Sequence, residues 1–158
     1  MTNAQETLAA RGYAGSVLVP ADHGLRQMYA AMGYRNFGGV ENLTLPAGAP
    51  VPLREITPQE YAALRRDYLP RGGIVQEDGA IEYLAQSARL CAGDGFLLAA
   101  TEAEPMELLG DASQAAGILG ALGKDRGTFR LPGAAPFAMF RPICDDSWTP
   151  AYFGLDFA

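Results

Sequence analysis

Histidine, cysteine and tryptophan are nearly missing from this chain of 158 residues, which has one His, two Cys and one Trp. With His23 alone available, no Ser-His-Asp or Cys-His relay can be assembled around a choice of bases. Cys91 and Cys144 have no metal-ligand spacing around them, so metal chemistry is unsupported. The two thiols read as reduced, structural residues of a cytoplasmic protein. No apolar run approaches the ~20 residues of a membrane span. The opening MTNAQETLAARG lacks the apolar core segment of a secretory signal. Positive charge is scarce as well: 12 Lys and Arg against 18 Asp and Glu leave a net charge of −6. That balance argues against a nucleic-acid or anionic-membrane partner, while leaving room for a local basic site.

What is present is an ordinary globular composition, 49% hydrophobic and 19% charged. The length fits one domain or a pair of small lobes, able to bury about 70% of its unfolded surface without staples. Strand and helix patterns are mixed along the chain, roughly seven or eight strands and five helices, which predicts an α/β sheet with helices on its faces.

The most informative stretch is Ser16 to Phe37, SVLVPADHGLRQMYAAMGYRNF. Val17-Leu18-Val19 is a β-branched apolar run ended by Pro20. Asp22 stands at a helix N-cap position, and Leu25, Met28, Tyr29 and Met32 follow on one apolar face. Gly33 comes where a left-handed residue ends a helix. Before this unit, Thr2 and Gln5 give a capping-box start for a helix running to about Arg11. After it, Arg35 to Leu45 reads as a strand. Its Gly38-Gly39 pair points to a bulge or a close backbone approach.

Tyr29-Ala30-Ala31-Met32-Gly33-Tyr34 resembles the Tyr-x-x-x-Gly-(Phe/Tyr) ending of GNAT-type acyl-CoA N-acyltransferases. The helix Thr2 to Arg11 and the strand Gly15 to Val19 fall in that family's order. The resemblance implies a GNAT-like α/β fold, with acetyl-CoA as co-substrate and a small-molecule amine as acceptor. It implies Tyr29 as the general acid for the departing thiolate. It also places Thr2, Asn3 and Gln5 at the helix start facing the pyrophosphate, with Arg26 and Arg35 as candidate partners of CoA phosphates. His23, in the first turn of its helix, is a conceivable base and otherwise an exposed turn residue. The family's asparagine after the strand is replaced here by Pro20-Ala21-Asp22.

Residues 1–45 then correspond to the rear half of a GNAT-like unit, and Pro46 to Pro52 to a linker. Residues 53–145 resemble a degenerate second unit and 146–158 a terminal strand. In the second unit Leu53 to Ile56 is a strand. Thr57-Pro58-Gln59-Glu60 starts a helix with N-cap, proline and capping glutamate. Asp78 opens another helix, expected to run through Ala88 to about Cys91. Phe96 to Thr101 and Met106 to Leu109 are strands, and Asp111 with Gln114 caps a helix stopped by Gly123. Thr128 to Leu131, Phe137 to Ile143 and Tyr152 to Phe157 read as a final antiparallel group. The family's Gly-rich pyrophosphate loop corresponds to Leu109-Gly110-Asp111-Ala112-Ser113, which puts a carboxylate where an anion would sit.

Three expectations follow. The terminal strand, Tyr152 to Phe157, returns to pair beside Val17 to Val19. The aromatics Phe137, Phe140, Trp148, Tyr152, Phe153 and Phe157 form core and sheet face. Because the family's pyrophosphate loop is absent from the first unit, the chain alone is expected to be a weak or inactive acyltransferase, with a non-catalytic binding or homodimerisation module through an open sheet edge as the alternative.

Overall fold

The computed structural model describes residues 2–144 and 147–155, with side chains from residue 6 onward. A helix α1 (Thr2–Ala10) leads to strand β1 (Gly15–Leu18), helix α2 (His23–Ala31) and the long strand β2 (Arg35–Pro46). Then come β3 (Arg54–Glu55), α3 (Pro58–Tyr68), α4 (Asp78–Leu84), β4 (Ala88–Gly93), β5 (Phe96–Thr101) and β6 (Met106–Gly110). A short 3-10 turn, Ala112–Gln114, enters α5 (Ala115–Leu122), followed by β7 (Arg126–Pro132) and β8 (Ala135–Pro142).

Among the described residues eight strands make one sheet in the order β1-β8-β2-β7-β6-β5-β4-β3. All neighbours are antiparallel except β6 and β7, which run parallel across the α5 crossover. Strand β2 joins the two ends of the chain. Its first half, Arg35 to Val40, pairs with β8, and its second half, Val40 to Pro46, pairs with β7. Strands β7 and β8 are consecutive, yet β2 lies between them, so the last strands are not a simple antiparallel group.

The turn joining β7 to β8 crosses β2 at the glycine pair. Gly133 N–H donates to the Gly39 carbonyl at 3.0 Å. A Cβ at Gly39 would overlap the Gly133 carbonyl oxygen. Gly38 has φ +73°. The pair thus marks a close backbone approach rather than a register slip, since β2 and β8 keep one register on both sides.

The neighbour of β1 is β8, with Val17 opposite Phe140 and Leu18 opposite Met139. The segment expected in that place, Tyr152 to Phe157, is elsewhere. Tyr152 makes one isolated parallel bridge to Gly73, and residues 156–158 lie outside the described residues. A strand from the far part of the chain does close the sheet beside β1, but it is Ala135–Pro142.

Two apolar layers sandwich the sheet. On one face α3 and α4 cover Leu90, Leu97, Ala99 and Leu109, with Tyr61, Ile81 and Leu84 inserted from the helices. On the other, α5 lays Ala115, Ile118 and Leu119 on Leu98, Met106, Leu108 and Phe129. Each fully buried Ile or Leu contributes roughly 2 kcal/mol.

The segment Pro46 to Pro52 docks on α5. Gly48 N–H donates to Ala116 O at 2.7 Å, Val51 N–H to Gly117 O at 3.3 Å, and Gly117 and Gly120 leave room for it. Helix α4 stops at Leu84, not near Cys91. Residues Ala88–Gly93 are a strand that turns at Asp94-Gly95, Gly95 having φ +78°, into β5.

Candidate functional site

The Tyr-bearing unit is built as its residue pattern dictates. The Asp22 side chain accepts from Leu25 N–H at 2.8 Å and caps α2. Gly33, with φ +87°, ends it. The helix has an apolar stripe but no fully buried residue: Met28 is 41% exposed, and Leu25, Tyr29 and Met32 are only partly covered.

Tyr29 is half-buried, its ring edge-on to Tyr34 at 5.6 Å and 67°. The Tyr34 hydroxyl meets Ser16 Oγ at 2.8 Å, which fixes the end of α2 against β1. The tyrosine pair therefore sets one side of the β1–α2 junction, with the Tyr29 position determined by packing on Tyr34.

Arg26 is engaged within the fold. Its Nη1 donates to Asn36 Oδ1 on β2 and its Nη2 to the Phe137 carbonyl on β8 at 3.0 Å. It clamps α2 to the two strands beneath it, so any phosphate contact would compete with these bonds. Arg35 is exposed at the start of β2. Thr2 and Asn3 open α1 and Gln5 follows within it, but their side chains lie outside those described. His23 is exposed and has its Nε2 3.0 Å from Gln27 Nε2.

A cavity of about 550 Å³ lies at the C-terminal end of α2, lined by Gly33, Tyr34, Arg35, Arg141, Ile143 and Cys144 among others. Tyr29 is not part of its wall. Cys144 Sγ is 3.4 Å from the Tyr13 carbonyl, and both cysteines are free. Among the described residues no group of three or more His, Cys, Asp or Glu could hold a metal ion, and no helix is long and apolar enough to cross a membrane.

At the start of the 3-10 turn, Asp111 accepts from Ser113 N–H at 2.9 Å and from Gln114 Nε2 at 3.4 Å. The hydrogen bonds from Ser113, foremost, hold its carboxyl below the usual range. The negative charge expected at this junction is thus in place and spent on capping the chain's own backbone.

The sequence pattern did not single out a second constellation, buried under α3. Glu107 on β6 accepts from Arg65 Nε and Nη2 at 3.0 and 2.9 Å, from the Tyr61 hydroxyl at 3.2 Å and from the Tyr152 hydroxyl at 3.0 Å. The alternation of β6, Met106 and Leu108 to one face and Glu107 to the other, was the available signal for an inward-facing charge.

No family model matches the chain, and no curated protein matches it either. Among solved structures it is similar to Eis1 from Mycobacterium abscessus, at 11% identity and TM-score 0.53, over 90% of this chain and 50% of that one. It is similar to a GCN5-related N-acetyltransferase from Anabaena variabilis ATCC 29413, at 14% identity and TM-score 0.51, over 89% of this chain and 49% of that one. A GCN5-related N-acetyltransferase from Kribbella flavida gives 15% identity and TM-score 0.52, over 89% and 44%. The chain spans about half the length of these structures, and at such identities the likeness concerns architecture. With a mixed eight-stranded sheet and five α-helices among the described residues, this chain has the GNAT-type α/β fold of the GCN5-related N-acetyltransferases.

Proposed function

We propose that this chain supplies the Tyr29-bearing half of a GNAT-type N-acetyltransferase that moves an acetyl group from acetyl-CoA to a small-molecule amine. The observation that carries the reading is the β1–α2 junction, where a capped helix delivers Tyr29 beside a strand and Tyr34–Ser16 locks the two together. In the reaction the amine nitrogen attacks the thioester carbonyl, the C–N bond forms and the C–S bond breaks. The Tyr29 hydroxyl protonates the leaving thiolate. The N-terminus of α1, at Thr2, Asn3 and Gln5, would present backbone N–H groups to the CoA pyrophosphate. Arg26 would have to leave Asn36 and Phe137 to join them. A base for the amine is not assigned.

The chain alone is expected to act weakly or not at all. In the second half of the fold the Asp111 carboxylate holds the helix start and would repel a diphosphate, so only the α1 N-terminus and a disengaged Arg26 are left to hold the CoA anion. Isothermal titration calorimetry with acetyl-CoA tests this directly: little or no heat is expected, and tight binding by the isolated chain overturns it. Where thiol release with an amine is measurable, Tyr29→Phe should reduce it by about 100-fold or more. An unchanged rate removes Tyr29 from the acid role.

A second reading has its own observation. Strand β1 is an edge of the sheet, its Val17 is 36% exposed, and Tyr13 just before it is 53% exposed. An open edge with apolar residues beside it favours addition of a partner strand, including that of a second copy, in a non-catalytic assembly module.

A further inference from the structure

The parallel pairing of β6 with β7 is only two residues long, Met106 with Phe129 and Glu107 with Arg130. On the face covered by α3 and α4, a separate piece of chain, residues 150–155, lies against this short contact. It arrives after the exposed Trp148 and Thr149 and is not itself a strand of the sheet, touching β2 through one backbone bond at Gly39.

Its backbone is read as a bound peptide is read. Ala151 N–H donates to Gly72 O at 2.8 Å, Ile74 N–H to Tyr152 O at 2.9 Å and Gly39 N–H to Ala151 O at 3.2 Å. Arg130 Nη1 donates to Gly154 O at 3.0 Å, and Gln76 Nε2 to Leu155 O at 3.4 Å. Tyr152 and Leu155 enter the interior, and the Tyr152 hydroxyl reaches Glu107 at 3.0 Å. Main-chain bonds for affinity and alternate side-chain pockets for selectivity are the marks of an extended peptide on a receptor.

The charged floor of the seat keeps its own bonds without this occupant, while Gly39 N–H, Ile74 N–H, Gly72 O, Arg130 Nη1 and Gln76 Nε2 give up the bonds that a replacing peptide backbone would have to restore. If Tyr152 departs, Glu107 retains both Arg65 nitrogens and Tyr61. Arg130 still stacks over the Phe137 ring at 4.0 Å. Gln76 is 8% exposed, and its Oε1 has no hydrogen-bond partner among the described residues, so it is set to accept an N–H from a peptide lying along it.

We infer that the groove bounded by the α3–α4 loop, β6 and β7 is a peptide-binding seat, and that residues 150–155 are a releasable strap that fills it in cis. Its ligand is an extended peptide carrying a tyrosine followed two residues later by glycine and then leucine. The strap keeps the seat closed to other peptides through its high effective concentration.

The test uses the full chain carrying Gly154→Val. A Cβ there would overlap the Tyr152 hydroxyl and crowd Glu107 Oε1 at 2.8 Å, so the change opposes the seated conformation of the strap while substituting no residue of the seat. Fluorescence anisotropy with a labelled peptide, SWTPAYFGL, should show binding to this variant about tenfold or more tighter than to the unchanged chain. Replacing the peptide's tyrosine by phenylalanine should weaken it about fivefold. A folded variant that ignores the peptide, or binds it no better than the unchanged chain, overturns the proposal. Amide hydrogen exchange on the unchanged chain decides the case where the variant fails to fold. The Gly39, Ile74 and Ala151 amides should exchange by local opening, faster than those of β4 and β5. Exchange of these three only through global unfolding makes the segment ordinary core and the inference wrong.

Discussion

Arg65 and Glu107 face each other in the interior, with both carboxylate oxygens engaged at 2.9 and 3.0 Å and side-chain exposures of 2% and 1%. Burial alone would lower the Arg65 pKa, yet the Glu107 charge and hydrogen bonds carry it above its ordinary value. The fork geometry and the two tyrosine donors offset a large desolvation cost. Glu107→Gln leaves the guanidinium unpaired in the core and should lower stability by about 3–5 kcal/mol. Urea denaturation measures it. A loss below about 1 kcal/mol would show that water or rearrangement already relieves the pair.

Alkaline pH should unfold the chain through the same cluster. Burial, followed by the Glu107 charge, holds the Tyr61 hydroxyl well above the usual phenol range, and the same causes raise Tyr152. Below pH ~10 both tyrosines are neutral folded and unfolded, and their contribution is intact. Above it the unfolded chain ionises while the folded one resists, so stability falls by about 1.4 kcal/mol per pH unit for each tyrosine. The Cys91 thiol, pushed up first by burial, adds a smaller onset near pH ~8.5. Urea midpoints between pH 8 and 11.5 follow this slope. Tyr152→Phe should remove one tyrosine's share, and an identical slope in that variant would contradict the assignment.

At the crossing of β2 and the β7–β8 turn, side chains are excluded for two reasons. Gly39→Ala forces its Cβ onto the Gly133 carbonyl and should cost about 1–3 kcal/mol. Gly38→Ala meets a left-handed backbone, φ +73°, and should cost about 1–2 kcal/mol. Thermal melting of both variants checks this. Equal stability of Gly39→Ala would mean that the turn moves aside freely.

Local signals carried the first half of the fold well. The Asp22 and Thr57 caps, Pro58 at the start of α3 and the glycine pair all do in space what their chemistry requires. After Leu84 the helical spacing of Ala85, Ala88 and Cys91 favours a continued helix that the structure does not form. The stronger cue was Asp94-Gly95 between two apolar runs, a hairpin turn that makes Ala88–Gly93 a strand. The identity of the strand beside β1 was not legible locally. Both Ala135–Pro142 and the tail are apolar, and the choice rests on long-range pairing with β2. The Glu107 cluster was equally hidden, since its four donors come from residues 42 to 46 positions away. Tyr29 was readable from its helix, whereas the engagement of Arg26 with Phe137, 111 residues on, was not.

The uncovered edge of β1 yields a last expectation. Val17 is 36% exposed on an edge strand, and the exposed Tyr13 precedes it by a few residues. Unpaired N–H and C=O groups beside apolar side chains template pairing with another chain, and a lysine on such a strand opposes it by bringing a charge that must stay hydrated. The unchanged chain should therefore self-associate with concentration in sedimentation velocity runs. Val17→Lys should shift it toward monomer without altering thermal stability by more than about 0.5 kcal/mol, because the position is surface-exposed. A strictly monomeric unchanged chain at every concentration tested would leave this edge without a partner of its own kind and take away the support for the assembly reading.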